Sequence, residues 1–149
     1  MSLKIIHTAD WHLGQTFFGY DRDEEHEAFL SWLIDILTLR QTDVLLIAGD
    51  VFDVANPSAA AQRRFFRFLR EANRHNPQLQ IVIIAGNHDS AARLEAPIPL
   101  LEELNTSIVG VVPRTDLCKI DFDSLLIPLY NKEGKREAIC LAVPYLRQG

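Results

Sequence analysis

Three short clusters gather the residue types that carry hydrolytic chemistry: Asp10-Trp11-His12, Gly49-Asp50-Val51-Phe52-Asp53 and Gly86-Asn87-His88-Asp89. They offer carboxylate, amide and imidazole donors and no thiolate. That set suits manganese, iron or zinc in a hydrolytic site. Each cluster is weak by itself. An Asp-x-His after a strand is commonly a loop with its polar groups satisfied. Gly-Asp-x-x-Asp also describes a helix cap or a turn. Gly-Asn-His-Asp can close a turn, because Asn tolerates left-handed backbone. Their common placement makes them specific: each directly follows a short apolar run. Gly49 and Gly86 permit tight turns that aim the next residue inward.

The runs in question are Lys4–Thr8, Asp43–Ala48 and Ile81–Ala85, each with the composition of a buried strand. Between them lie helical patterns. Phe29, Leu33, Ile36 and Leu37 recur at helical spacing within residues 24–39, and Asp21 with Glu24 resembles a capping box. Asn56-Pro57-Ser58 opens a second helix, with Pro57 in its first turn and Ala61, Phe65, Phe68, Leu69 and Ala72 on one face. Glu95–Leu104 suggests a short helix interrupted by proline. Apolar strands alternating with helices imply an α/β fold whose parallel sheet is covered on both faces. The carboxyl ends of such strands meet along one edge, where ligands bind. Asp, His, Asp, Asn and His are thereby delivered to one place.

After residue 105 the pattern changes to strands: Ser107–Val112, Cys118–Phe122, Leu125–Tyr130 and Ala138–Val143, the last two joined by a turn over residues 131–135. Two packed sheets in one domain account for both regimes.

With 149 residues, 48% hydrophobic and 23% charged, the chain can bury a core without disulfide staples. Its longest apolar runs are far shorter than the roughly 20 residues of a membrane span. Two cysteines make no disulfide framework, so a reduced, cytoplasmic protein is expected. The net charge of −5 supplies no bulk field for nucleic acid. A phosphate substrate must therefore be held locally, as by a metal ion.

The three clusters together resemble the first three motifs of the calcineurin-like metallophosphoesterases. The longer stretches His7–Gly14 and Ala48–Asp53 are similar to the DNA-end nucleases of double-strand-break repair within that family. Protein phosphatases of the family usually carry Arg-Gly after the second motif, where this chain has Val54-Ala55. The resemblance runs from Lys4 onward. It is sharp through Asp89 and then rests on the strand pattern and on Val143-Pro144-Tyr145-Leu146-Arg147.

The resemblance implies an αββα sandwich with a parallel-rich first sheet and an incomplete second one. It implies a two-metal manganese site. Asp10 and His12 would bind the first metal, Asp50 would bridge both, and Asn87 would bind the second. His88 would face the scissile phosphate as the catalytic acid, oriented by Asp53. Family members complete both metals with later histidines, and no histidine follows His88 here. Residues 1–149 are accordingly expected to be the N-terminal part of a metallophosphoesterase domain. The implied function is DNA phosphodiester hydrolysis in repair, recombination and replication. The implied partners are DNA, an SMC-type ATPase and a second copy in a homodimer, with no membrane. The alternatives are another phosphoesterase acting on a nucleotide or phosphoester, or a fragment serving only as a dimerising binding module.

Other residues have blander roles. His7 is expected to pack at the core edge, and His26 and His75 to be solvated. Arg63, Arg64, Arg67, Arg70 and Arg74 should form a solvated basic face on the second helix. Phe65, Phe66 and Phe68 exceed one core stripe, which leaves one for an interface. Trp11 should wall the site, and Cys118 and Cys140 should fill apolar space.

Overall fold

The computed structural model describes residues 2–148. In chain order the elements begin with β1 (Ile5–Thr8), β2 (Thr16–Phe17), β3 (Tyr20–Asp21), α1 (Asp23–Leu39), β4 (Val44–Ala48) and α2 (Ala59–His75). They continue with β5 (Gln80–Ile84), α3 (Ala91–Glu95), α4 (Ile98–Leu101), β6 (Thr106–Val109), β7 (Leu126–Tyr130) and β8 (Arg136–Leu141). The strands β1, β4, β5 and β6 form one sheet in that order, every pair parallel. The β7–β8 hairpin packs against it as a second, smaller sheet. The expected α/β architecture is present: a parallel-rich sheet with helices and a small antiparallel sheet.

Burial explains the layering. Alternate residues of the central strands point to opposite faces. Leu45, Ile47, Ile81 and Ile83 join Leu30, Leu33 and Leu37 of α1 and Phe65, Phe68 and Leu69 of α2 in the main core. Each large apolar side chain removed from water there contributes roughly 1.5–3 kcal/mol. Val44, Val82 and Val109 face the other way, onto Leu125, Leu129 and Ala142 beneath the hairpin. Gln80 joins the layers: its amide donates to the Pro128 carbonyl at 2.8 Å and accepts from the Tyr130 N–H at 3.2 Å.

Several local expectations need correction. Residues 118–122 form no strand; this stretch contributes one isolated bridge, Arg114 to Ile120, before a 3-10 turn at Asp123–Leu125. Glu95–Leu104 is split into α3, α4 and a 3-10 turn, with Pro97 capping α4. The α1 capping box does not form. Arg22 is the N-cap, and the Asp21 carboxylate accepts instead from the Asp23 N–H. Pro57 precedes α2, whose N-cap is Ser58, its hydroxyl accepting from the Ala61 N–H at 3.1 Å. His7 lies exposed on edge strand β1, whereas His26 is buried on the inner face of α1. Arg64 leaves the solvated basic face: its guanidinium is largely buried and pairs with Asp23 and Glu27, tying α2 to α1. Cys118 is exposed, not a filler. Phe65 and Phe68 are buried within the chain, and Phe66 is half-buried. Among the described residues, no helix is long and apolar enough to cross a membrane.

Candidate metal centre

The adjacent strands β1, β4 and β5 end at Thr8, Ala48 and Ile84, and the loops that follow carry the three clusters. The first two loops extend the parallel ladder beyond the strands. Asp10 N–H donates to Gly49 O at 3.0 Å, His12 N–H to Asp50 O at 3.0 Å, and Leu13 N–H to Val51 O at 2.9 Å. The backbone here is strained. Asp10, His12 and Asp50 have φ of 57°, 49° and 49°. Non-glycine residues rarely adopt this region, which collects at functional sites.

The third loop sits so close that only glycine fits. A Cβ on Gly86 would lie 2.1 Å from Asp50 Oδ1 and 2.3 Å from Asp50 N. Gly49, at φ +91°, meets Gly86 Cα at 3.0 Å from its own would-be Cβ. The absent side chains let the second and third loops touch.

Asp89 holds the two loops together. Its carboxylate is buried and accepts from Gly86 N–H at 2.9 Å, Phe52 N–H at 3.0 Å and Val51 N–H at 3.2 Å. The sequence placed Asp89 in the third cluster without a role, and nothing in its spacing announces one. His88 N–H donates to Asp50 Oδ1 at 2.9 Å.

Three donors then converge. His12 Nε2 lies 4.0 Å from Asp10 Oδ1 and 3.8 Å from Asp50 Oδ2. These gaps are too long for hydrogen bonds. They match two ligands of one ion, which at about 2.1 Å each can lie up to about 4.2 Å apart. Asn87 lines the same cavity as Asp10 and Asp50, on the side walled by Val143, Pro144 and Tyr145. A second group, His12 with Asp53 and His88, adjoins the first through the other nitrogen of His12. His12 Nδ1 is buried without a hydrogen-bond partner, because Asp53 Oδ1 at 3.2 Å is out of line. The fit rests on the other side of the ring: an imidazole nitrogen and two carboxylates at ligand spacing, with no thiolate, are the chemistry of a divalent-cation site, so the residues fit the expected metal.

His88 stands exposed at the rim, its ring 4.9 Å from that of His12 and nearly perpendicular to it. Its Nδ1 is 2.6 Å from the Asp53 carbonyl oxygen. Asp53 therefore contacts His88 through its backbone, while its carboxylate faces His12. The Asp53 carbonyl, and after it the negative charges of Asp50, Asp53 and Asp89, hold the His88 imidazole above its ordinary pKa. Trp11 is buried against Phe29, Phe65 and Phe68, the packing wall expected of it. Phe17, Phe18 and Tyr20 project from the β2–β3 hairpin, exposed at 65%, 87% and 78%. Arg22 joins that hairpin to the first loop by donating to Gln15 Oε1 at 2.9 Å.

A parallel sheet whose strand ends gather this donor set is the arrangement expected of the metallophosphoesterase class. The family model described as calcineurin-like phosphoesterase matches residues 3–138, and the chain belongs to that family. It is similar to the D component of the SbcCD nuclease of Rhodobacter capsulatus, 50% identical over 146 residues and 98% of this chain. It is also similar to the proteins of that name from Escherichia coli K12, 38% identical over 80% of the chain, and Bacillus subtilis, 39% identical over 82%. The chain spans about a third of the length of these relatives: 36%, 33% and 31% respectively.

Proposed function

We propose that this chain is the metal-binding part of a manganese-dependent DNA nuclease, a cytoplasmic protein acting at DNA ends in repair and recombination. The observation that carries this reading is the convergence of Asp10, His12 and Asp50 within the span of one cation, with Asn87 in the same cavity. The relatives named as components of the SbcCD nuclease supply the substrate class. Their SbcCD names point to an SbcC-like partner, which the family resemblance makes an SMC-type ATPase. A homodimer through α2 is part of the same reading and rests on Phe66, the phenylalanine there left half-exposed.

Asp10, His12 and Asp50 would hold the first ion, and Asp50 with Asn87 a second. Manganese, when bound, supplies Lewis acidity and positive charge for a phosphoryl group. The other steps belong to the chain. The Asp53 carbonyl can only accept, so His88 Nδ1 carries a hydrogen and Nε2 is left to exchange protons with substrate. The raised pKa of His88 favours the imidazolium, which donates from Nε2 to the leaving oxygen. Phe17, Phe18 and Tyr20 offer π faces on which unpaired bases can stack.

The test is fluorescence anisotropy of an end-labelled DNA with a single-stranded overhang. Manganese should promote binding to the chain, and Asp10→Ala should remove that dependence. Binding that ignores manganese, or is matched by a phosphomonoester competitor at equal concentration, overturns the assignment to DNA.

A further inference from the structure

The segment after β8 returns to the third loop and occupies its outward carbonyls. Tyr145 N–H donates to Ala85 O at 2.9 Å. Two residues on, Arg147 Nη2 donates to Asn87 O and to Asp89 O, each at 3.0 Å. One amino group carries two hydrogens, so both bonds form at once. Carbonyls 85, 87 and 89 alternate along the loop, and a single segment takes all three. The Arg147 guanidinium carbon also sits 5.8 Å from the Tyr145 ring centroid, within cation–π range, which fixes the fork.

These bonds complete a two-sided clamp. From inside, the Asp89 carboxylate holds Gly86 N–H, and Asp50 Oδ1 holds His88 N–H. From outside, Arg147 holds the carbonyls on either side of His88. No other described side chain donates to those two carbonyls. Without Arg147 the peptide joining Asn87 to His88 is tied on one side only, through the His88 N–H, and the Asp89 carbonyl loses its side-chain donor.

We propose that Arg147 is a positioning residue for the metal centre, aligning Asn87 and His88 through their backbone without touching ion or substrate. The proposal rests on the metal-site reading above, and its test separates the two. Amide hydrogen exchange of the metal-free chain is followed residue by residue, beside manganese calorimetry, for wild type, Arg147→Ala and Arg147→Lys.

In Arg147→Ala, exchange at Gly86 and His88 should accelerate at least tenfold, while Ile81–Ile84 in the sheet keep their wild-type rates. Manganese affinity should fall about 10–100-fold, because a loosened His88 N–H no longer orients the Asp50 carboxylate that it holds from one step outside the metal. Millimolar methylguanidinium should restore part of both, which a general loss of packing would not allow. Arg147→Lys should fall between, because an ammonium lacks the planar fork. Unchanged exchange at His88 overturns the proposal, as does faster exchange with unchanged manganese affinity. If wild type binds no manganese, the metal-site reading fails, and accelerated His88 exchange alone then decides whether Arg147 positions the loop.

Discussion

The backbone N–H of His88 donates to Asp50 Oδ1 at 2.9 Å, so one carboxylate both faces the candidate metal and anchors the third loop. Its other oxygen, Oδ2, is 3.8 Å from His12 Nε2. The two roles are separable. Asp50→Asn retains an acceptor for the His88 N–H but halves the anionic ligation. Asp50→Ala removes both.

Manganese binding should therefore rank by position. Calorimetry should show no measurable binding for Asp50→Ala, a partial loss for Asp50→Asn, and the least loss for Asn87→Ala, because Asp50 serves both proposed positions and Asn87 only the second, weaker one. Equal affinity in wild type and Asp50→Ala would falsify the shared-ligand role.

Asp89 should matter for stability more than for ligation. Asp89→Ala leaves the N–H groups of Val51, Phe52 and Gly86 unpaired in a buried place. Charge-assisted bonds of this kind are worth roughly 1.5–3 kcal/mol each, and the site can relax only in part. A loss of about 3–5 kcal/mol in urea unfolding is expected, with Asp89→Asn costing less. A loss below about 1 kcal/mol would show that water replaces the carboxylate easily.

Much of this is legible in the amino-acid sequence. The five inward residues of α2, Ala61, Phe65, Phe68, Leu69 and Ala72, follow from helical spacing alone, and all five are buried. The three clusters lie at the strand ends because apolar runs mark the strands directly. Asp89, Arg147 and His26 were opaque for one shared reason. Their roles come from partners distant in sequence: Val51 for Asp89, Asn87 for Arg147, Arg64 for His26. Cys118–Phe122 alternates like a strand but folds back only on residues 113–115, a pairing one bridge long, so tertiary context overrides local propensity.

His26 should give the fold a pH dependence. Burial first, then the positive charges of Arg22 and Arg64, hold its imidazole below the ordinary value. The folded state thus resists the proton that the unfolded chain accepts. Above the unfolded value of about 6.5, neither state is protonated and this stability is present in full. As pH falls below that point the unfolded chain takes up a proton first, and stability declines until the folded value is passed. Denaturation midpoints at about pH 7.5 and about pH 5.5, on either side of that value, should differ more for wild type than for His26→Gln. Identical differences would remove His26 as the cause.

The final prediction concerns turnover by this chain alone. Within these 149 residues no histidine follows His88, so they alone offer a second ion only Asp50 and Asn87. Catalytic sites normally supply about three. Asp10 is largely exposed, and its charge lies across His12 from that of Asp50, so without enough cation the two carboxylates repel each other across a wet cavity. The chain should therefore hold at most one weakly bound ion and show little or no DNA cleavage, even though it belongs to a hydrolytic family. The check is a nuclease assay with excess manganese on the purified chain, beside Asp10→Ala. Robust cleavage that Asp10→Ala abolishes would mean that the donors within these 149 residues suffice, and that a two-ligand second position, or a single ion, is enough for the reaction.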